Sequence, residues 1–529
     1  MGSCWHFRVR SKVGIDLHES ISFCSPVPGE GEVSVHPRTT AFAALLVACF
    51  ASAIIIAATT DDLIKAVREG NIDAARALLK QRVDVNAPQG DGATALHWAV
   101  ELDDVNTVDF LLRAGARADA ANDTGVTPLY LACMNRNAVL VEKLLAAGAN
   151  PNAALLKGET VLMMCARSGN ASAVKALLVH GANVNATEAQ HSQNALMWAV
   201  AQRRPEVVKV LLEAGANVRA RSRAYPQVVT GEETQRAGRE ELNYTVFRGG
   251  STALLFAARS GDVESASLLL NAGADPNEAL PDGASALIVA AHSGNGAVGA
   301  LLLERGADPN ANAVGYTPLH AAVLRGDLAL VKALLKHGAN PNRVITRGTP
   351  SRRANGHQFE LLGPLVSATP YVQAAQYLEI EMMRALAAAG ADTRRAKADG
   401  MTPLMLAVGM MASTAVDRRS HRVLDGATVE SESDVVPVVA AAIELGSDIN
   451  AVNAQGETAL HSAANQGFSR VVLLLAEKGA DLNVRSKRGQ TPLTAAITAA
   501  QTRAIPGEPA SVKAFQATID QLRKLGASE

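Results

Sequence analysis

"GYTPLHAAVLRGDLALVKALLKHGANPN", residues 315–342, reads as two short helices that carry their own start and stop signals. Thr317 is placed to cap a helix, its hydroxyl oxygen taking an amide proton that the first turn leaves unpaired. Pro318 follows at the first helical position, where no N–H is needed. Leu319, Ala322 and Val323 then line one face, and "RGD", Arg325 to Asp327, turns the chain. Val331, Leu334 and Leu335 return at helical spacing. Gly338 ends the second helix in the left-handed conformation that glycine takes cheaply, and "ANPN" leads into the next turn.

Near-copies of this stretch run through most of the chain. Its signature begins at Thr94, Thr127, Thr160, Asn194, Thr252, Ser285, Thr317, Thr402, Thr458 and Thr491, with most steps of 32–34 residues. A Gly-Ala pair follows about two thirds of a period later, from Gly115-Ala116 to Gly479-Ala480. One such helix pair cannot bury its own apolar face, whereas a stack of neighbours can. The period therefore predicts an all-α solenoid of about twelve helix-turn-helix units with hairpin loops and little true strand. "TPLHAA", the glycine that follows, "LL" and "GANPN" resemble the ankyrin repeat over residues 61–529. Longer phrases such as "ALMWAVAQRRPEVVKVLLEAGANV" are similar to those of long exported bacterial members of that family. The resemblance implies that the residue four after each signature start faces a concave groove. That residue is Trp98, Leu131, Met164, Trp198 and Phe256, then Val289, Ala321, Leu406 and Ser462. The first five are expected either to form a partner-binding strip, tryptophan being enriched at binding hot spots, or to pack between repeats.

Three stretches break the period. Residues near 222–248 and 344–363 fall between units and are expected at the hairpin-loop edge. Residues near 412–434 separate the two helices of one unit and are expected at the opposite edge, as is "IPGEPAS" at 505–511. With these insertions the units fill residues 61–529, leaving no room for a second folded domain. Residues 61–88 and 491–525 read as end units that shield the core from water. The unit at 366–397 departs most, with Thr369, Pro370, Tyr371 and Val372 in place of the usual phrase.

The chain has 529 residues, 48% apolar but only 4% aromatic, so its interior is built from Ala, Leu and Val, which suits thin layers. A net charge of −1 leaves no chain-wide basic face and argues against generic nucleic-acid binding. Residues 1–40 read as a poorly ordered tail. Residues 41–58, "AFAALLVACFASAIIIAA", carry no charge and follow Arg38. A basic flank, an apolar run and small residues make a secretory signal, and the run also reaches the lower length of a transmembrane helix. The protein is expected to be exported, either periplasmic or anchored in the inner membrane through residues 41–58, with the repeats outside the cytoplasm. The alternative is a buried apolar helix in a cytoplasmic protein. "LVAC", Leu46 to Cys49, resembles a bacterial lipoprotein box, so cleavage, anchoring and lipidation all stay open. Cys133 and Cys165, the only cysteines within the repeats, match no metal motif and are expected to be separate small buried residues.

No residue is assigned to catalysis, a metal or a cofactor. Gly294, Gly296 and Gly299 in "SGNGAVG" match a dinucleotide fingerprint, but the repeat register puts them after a helix, where that motif needs a strand. His97, His320 and His461 share one signature position without a nucleophile and orienting partner, and are expected to bond the backbone of the neighbouring hairpin. His357 and Glu360 lack the third ligand that zinc requires. Arg347, Arg352, Arg353, Arg394 and Arg395 cluster around the second insertion and are expected either in solvated loops or as contacts for an anionic partner. The expected function is non-catalytic binding of a protein or peptide on a preformed surface in the bacterial envelope. A self-associating envelope scaffold and an enzyme with its site in the insertions are the alternatives.

Overall fold

The computed structural model describes residues 61–230, 243–347, 349–352, 359–362, 366–409, 416–417, 422–423, 431–503 and 509–529. Internal contacts divide the chain into Met1–Ala58 and Thr59–Glu529. The tail at 1–40 and the apolar run at 41–58 lie outside the described residues. In Thr59–Glu529 the described residues form twelve helix pairs in single file, from residues 61–68 with Ile72–Lys80 to Pro492–Arg503 with Pro509–Lys524. From the second pair onward, each first helix packs on the first helices of its neighbours and each second helix on the second. Buried Leu, Val and Ala run as one continuous core through every pair.

The start signals work as the sequence predicts. Thr127 accepts a hydrogen bond from the Tyr130 amide at 3.2 Å, and Asn194 accepts one from the Met197 amide at 3.0 Å. Where the third helical residue is histidine the cap becomes reciprocal. Nδ1 of His97 accepts from the Thr94 amide at 3.1 Å, so Nε2 carries the proton and donates to the Val126 carbonyl in the next hairpin loop, 3.0 Å away. His320 bridges Thr317 to Ala368, and His461 bridges Thr458 to Gln490, in the same way. Burial disfavours the charged ring at all three and brings His320 down to about 4.

A second brace runs along the hairpin loops. In most "GANPN"-like phrases the last asparagine donates to a glycine carbonyl one unit on and accepts an amide two residues beyond it. Asn310 donates to Gly338 at 2.9 Å and accepts from Asn340 at 2.7 Å, and Asn152 does the same with Gly181 and Asn183. Arg394 stands in place of this asparagine, and its Nε donates to the Gly446 carbonyl at 2.8 Å.

Two features differ from the sequence expectation. Cys133 and Cys165 are joined in a disulfide, not held as separate thiols. They face each other from adjacent first helices, Pro128–Met134 and Val161–Ser168, with Cα atoms 4.6 Å apart. Their separation of 32 residues is one repeat period, so stacking places them side by side. The insertions also contain strand. β1 (Tyr225–Thr230) pairs antiparallel with β2 (Asn243–Arg248), β3 (Thr349–Arg352) with β4 (Phe359–Leu362), and β5 (Val416–Asp417) with β6 (Arg422–Val423). β1 also meets β4, so hairpins from two insertions touch. The third insertion does lie inside one unit, between Pro403–Ala407 and Glu432–Glu444. Most of "IPGEPAS" lies outside the described residues.

Candidate partner-binding face

First helices are made of small residues where they meet. Ala99, Ala132, Ala166, Ala199 and Ala257 are fully buried, whereas second helices bury Leu and Val, such as Val108, Leu111, Leu144 and Leu177. Small contact residues let helix axes approach more closely. The first helices therefore make up one side of the stack, with small residues at full burial.

On that side Trp98, Leu131, Met164, Trp198 and Phe256 are half-buried, resting on the core while keeping part of their surface open. Leu102 and Met134, at the ends of the same helices, extend this apolar surface with about half of their own area exposed. Both tryptophans are flanked by an arginine from the preceding unit. The Arg68 guanidinium lies 4.4 Å from the Trp98 ring centroid, and that of Arg167 lies 5.7 Å from Trp198. Trp98 Nε1 donates to Gln89 Oε1 at 3.2 Å, whereas Trp198 Nε1 is buried without an acceptor. The sequence reading missed these arginines. Their signal is positional: each ends a first helix about one period ahead of its tryptophan.

The ladder does not stay open. Val289, Ala321, Leu406 and Ser462 occupy the same register in later units and are buried. Gln373, at this register in the unit at 366–397, is fully buried with neither amide atom hydrogen-bonded.

The basic cluster near the second insertion is dispersed in role. Arg394 and Arg395 are exposed but brace neighbouring loops, Arg395 through Nη1 to the Asn342 carbonyl at 3.2 Å. Lys397 is buried and pairs with Asp399 at 3.1 Å. Arg347 is exposed, its Cβ packed near Gly315. Arg352 belongs to β3, while Arg353 and His357 lie outside the described residues. Gly294 adopts a left-handed φ of 75° in an inter-helix turn, as the repeat register requires. Among the described residues no group of three or more His, Cys, Asp or Glu converges as a metal site. Among them, too, no helix is long and apolar enough to cross a membrane.

A single-file stack of helix pairs defines a repeat scaffold. A model of ankyrin repeats in three copies matches residues 63–155, 137–222, 254–345 and 429–505. A second, of ankyrin repeats in many copies, matches residues 196–270. Together these cover well over half of the chain. The chain belongs to the ankyrin-repeat family, whose repeats serve as protein–protein interaction scaffolds. A search of curated proteins found no match to it. The family matches leave out the region of the second and third insertions, yet the unit there still forms its helix pair, Pro370–Gln376 and Ile380–Ala388.

Proposed function

We propose that this protein is a non-catalytic scaffold that holds a protein or peptide partner along the inner side of its first helices. The contact strip is Trp98, Leu131, Met164, Trp198 and Phe256. One observation carries the reading: these large apolar side chains keep part of their surface open, whereas the same register is buried in the C-terminal half. A surface fixed by stacking loses little conformational freedom on binding, which favours affinity. Arg347, Arg352, Arg353, Arg394 and Arg395 provide a second contact region for anionic groups on the partner.

The setting we infer is the bacterial envelope, with the repeats outside the cytoplasm. The uncharged run at 41–58 supports export. The Cys133–Cys165 disulfide supports it independently, because such bonds persist in oxidising compartments. Affinity capture from envelope fractions, followed by titration of the captured partner, tests the strip. Trp98→Ala and Trp198→Ala are each expected to weaken binding by about 2 kcal/mol, roughly thirtyfold. Wild-type affinity in the double variant would remove the strip as the binding site.

A further inference from the structure

The chain balances 50 basic against 51 acidic residues, but not evenly. Where the first helices of the third to sixth pairs end and turn stand Arg136, Arg167, Arg203, Arg204 and Arg259. The one acid in those turns, Asp262, is engaged with its own helix, accepting from the Ser265 amide and hydroxyl. None of the five arginines forms an ion pair among the described residues. Glu101 and Asp103, one pair earlier, mark where the row ends and the charge reverses.

Two of these arginines sit in an unfavourable backbone conformation. Arg136 has φ of 61° and Arg203 of 55°, at the turn position where Gly169 and Gly261 serve in neighbouring units and where Asp103 and Leu378 take the same conformation. A side chain is disfavoured there, and both side chains point into solvent, so packing does not explain them. Arg204 lies across Gly169, where an added Cβ would come within 2.6 Å of its Cδ and Nε. Its Nε and the Trp198 Nε1 are both buried donors that lack an acceptor. Arg167 stacks beside Trp198 as well. The row thus shares four of the strip's five units, those of Leu131, Met164, Trp198 and Phe256, and meets the strip at Trp198.

We infer that the partner presents an acidic segment, with aspartate or glutamate carboxylates against this arginine row and aromatic or aliphatic side chains against the strip. The inference rests on the scaffold reading above and adds the chemistry of the partner. Opposed charge steers and orients such a segment, while apolar contact holds it.

Selection of random twelve-residue peptides on the full chain by phage display tests this. Peptides released by Trp98→Ala and Trp198→Ala are the informative set. They are expected to be net negative and rich in apolar residues, to bind the Arg136→Glu, Arg203→Glu double variant at least tenfold more weakly, and to lose affinity as salt rises. A tryptophan-dependent set that is neutral or basic would overturn the acidic partner and leave the scaffold reading standing. A selection in which no peptide depends on either tryptophan would overturn both. The double variant Arg136→Gly, Arg203→Gly provides a check free of misfolding. It is expected to melt at a higher temperature while binding the acidic peptides more weakly, and undiminished affinity would exclude the row as the contact.

Discussion

Leu131 and Leu406 are the same residue at the same register of two repeat units, yet one keeps part of its surface open and the other is 2% exposed. The contrast holds along the whole stack. From Trp98 to Phe256 the register carries large side chains with open surface, whereas Ala321, Gln373, Leu406 and Ser462 are buried. The repeat therefore fixes where a side chain stands but not what covers it. In the N-terminal half this position keeps part of its surface open, and in the C-terminal half it belongs to the core.

The sharpest way to break this contrast is a matched pair of truncations. Leu406→Ala is expected to destabilise the fold by about 2–5 kcal/mol as a core cavity, and Leu131→Ala by clearly less, since part of its area is already in water. Urea unfolding of the two variants checks this, and equal losses would erase the distinction between the halves. Removing the disulfide is next in size. Cys133→Ser with Cys165→Ser is expected to lower stability by about 2–4 kcal/mol, with hydrogen exchange rising in the first pairs more than around Leu475. A uniform rise would show that the stack responds as one body.

The histidine caps set the acid limit of both halves. His320 has its pKa held at about 4 by burial, below the ordinary value of 6.5 for the unfolded chain. Between those values the unfolded chain takes up a proton that the folded one refuses, so stability is full above pH 6.5 and falls as pH drops. The loss is expected to reach roughly 2 kcal/mol by pH 5. His320→Gln should flatten that part of a stability–pH profile, and an unchanged slope would remove the cap as its cause. The smallest effect sharpens the N-terminal side. Arg136→Gly and Arg203→Gly are each expected to stabilise by about 1 kcal/mol in thermal unfolding, by relieving the left-handed backbone.

Much of this was legible in the chain. Thr317, Pro318 and Gly338 announce a capped helix pair, and the period announces the stack. The shared register of His97, His320 and His461 pointed to backbone bonding, which the distances to Val126, Ala368 and Gln490 show. Trp98 and Trp198 could be placed on one face but not given an exposure, because exposure depends on neighbours a whole period away. The disulfide stayed hidden for a related reason: cysteines 32 residues apart look isolated until the period is used as a ruler. Arg394 looked like loop charge, and only its bond to Gly446 shows it doing the asparagine's bracing. The strands of the insertions have no repeat to announce them, and β1 and β4 belong to different insertions, so their contact leaves no local pattern.

The Cys133–Cys165 bond also bears on how this protein responds to force. A single-file stack pulled at its ends is expected to come apart pair by pair, since each pair is held mainly by its neighbours. The loop closed by the two cysteines, 32 residues apart, cannot join that extension while the bond is intact. At about 3.5 Å per extended residue, roughly 110 Å of contour length stays locked. The reach of the chain under load is thus set by whether its surroundings oxidise or reduce a single covalent link.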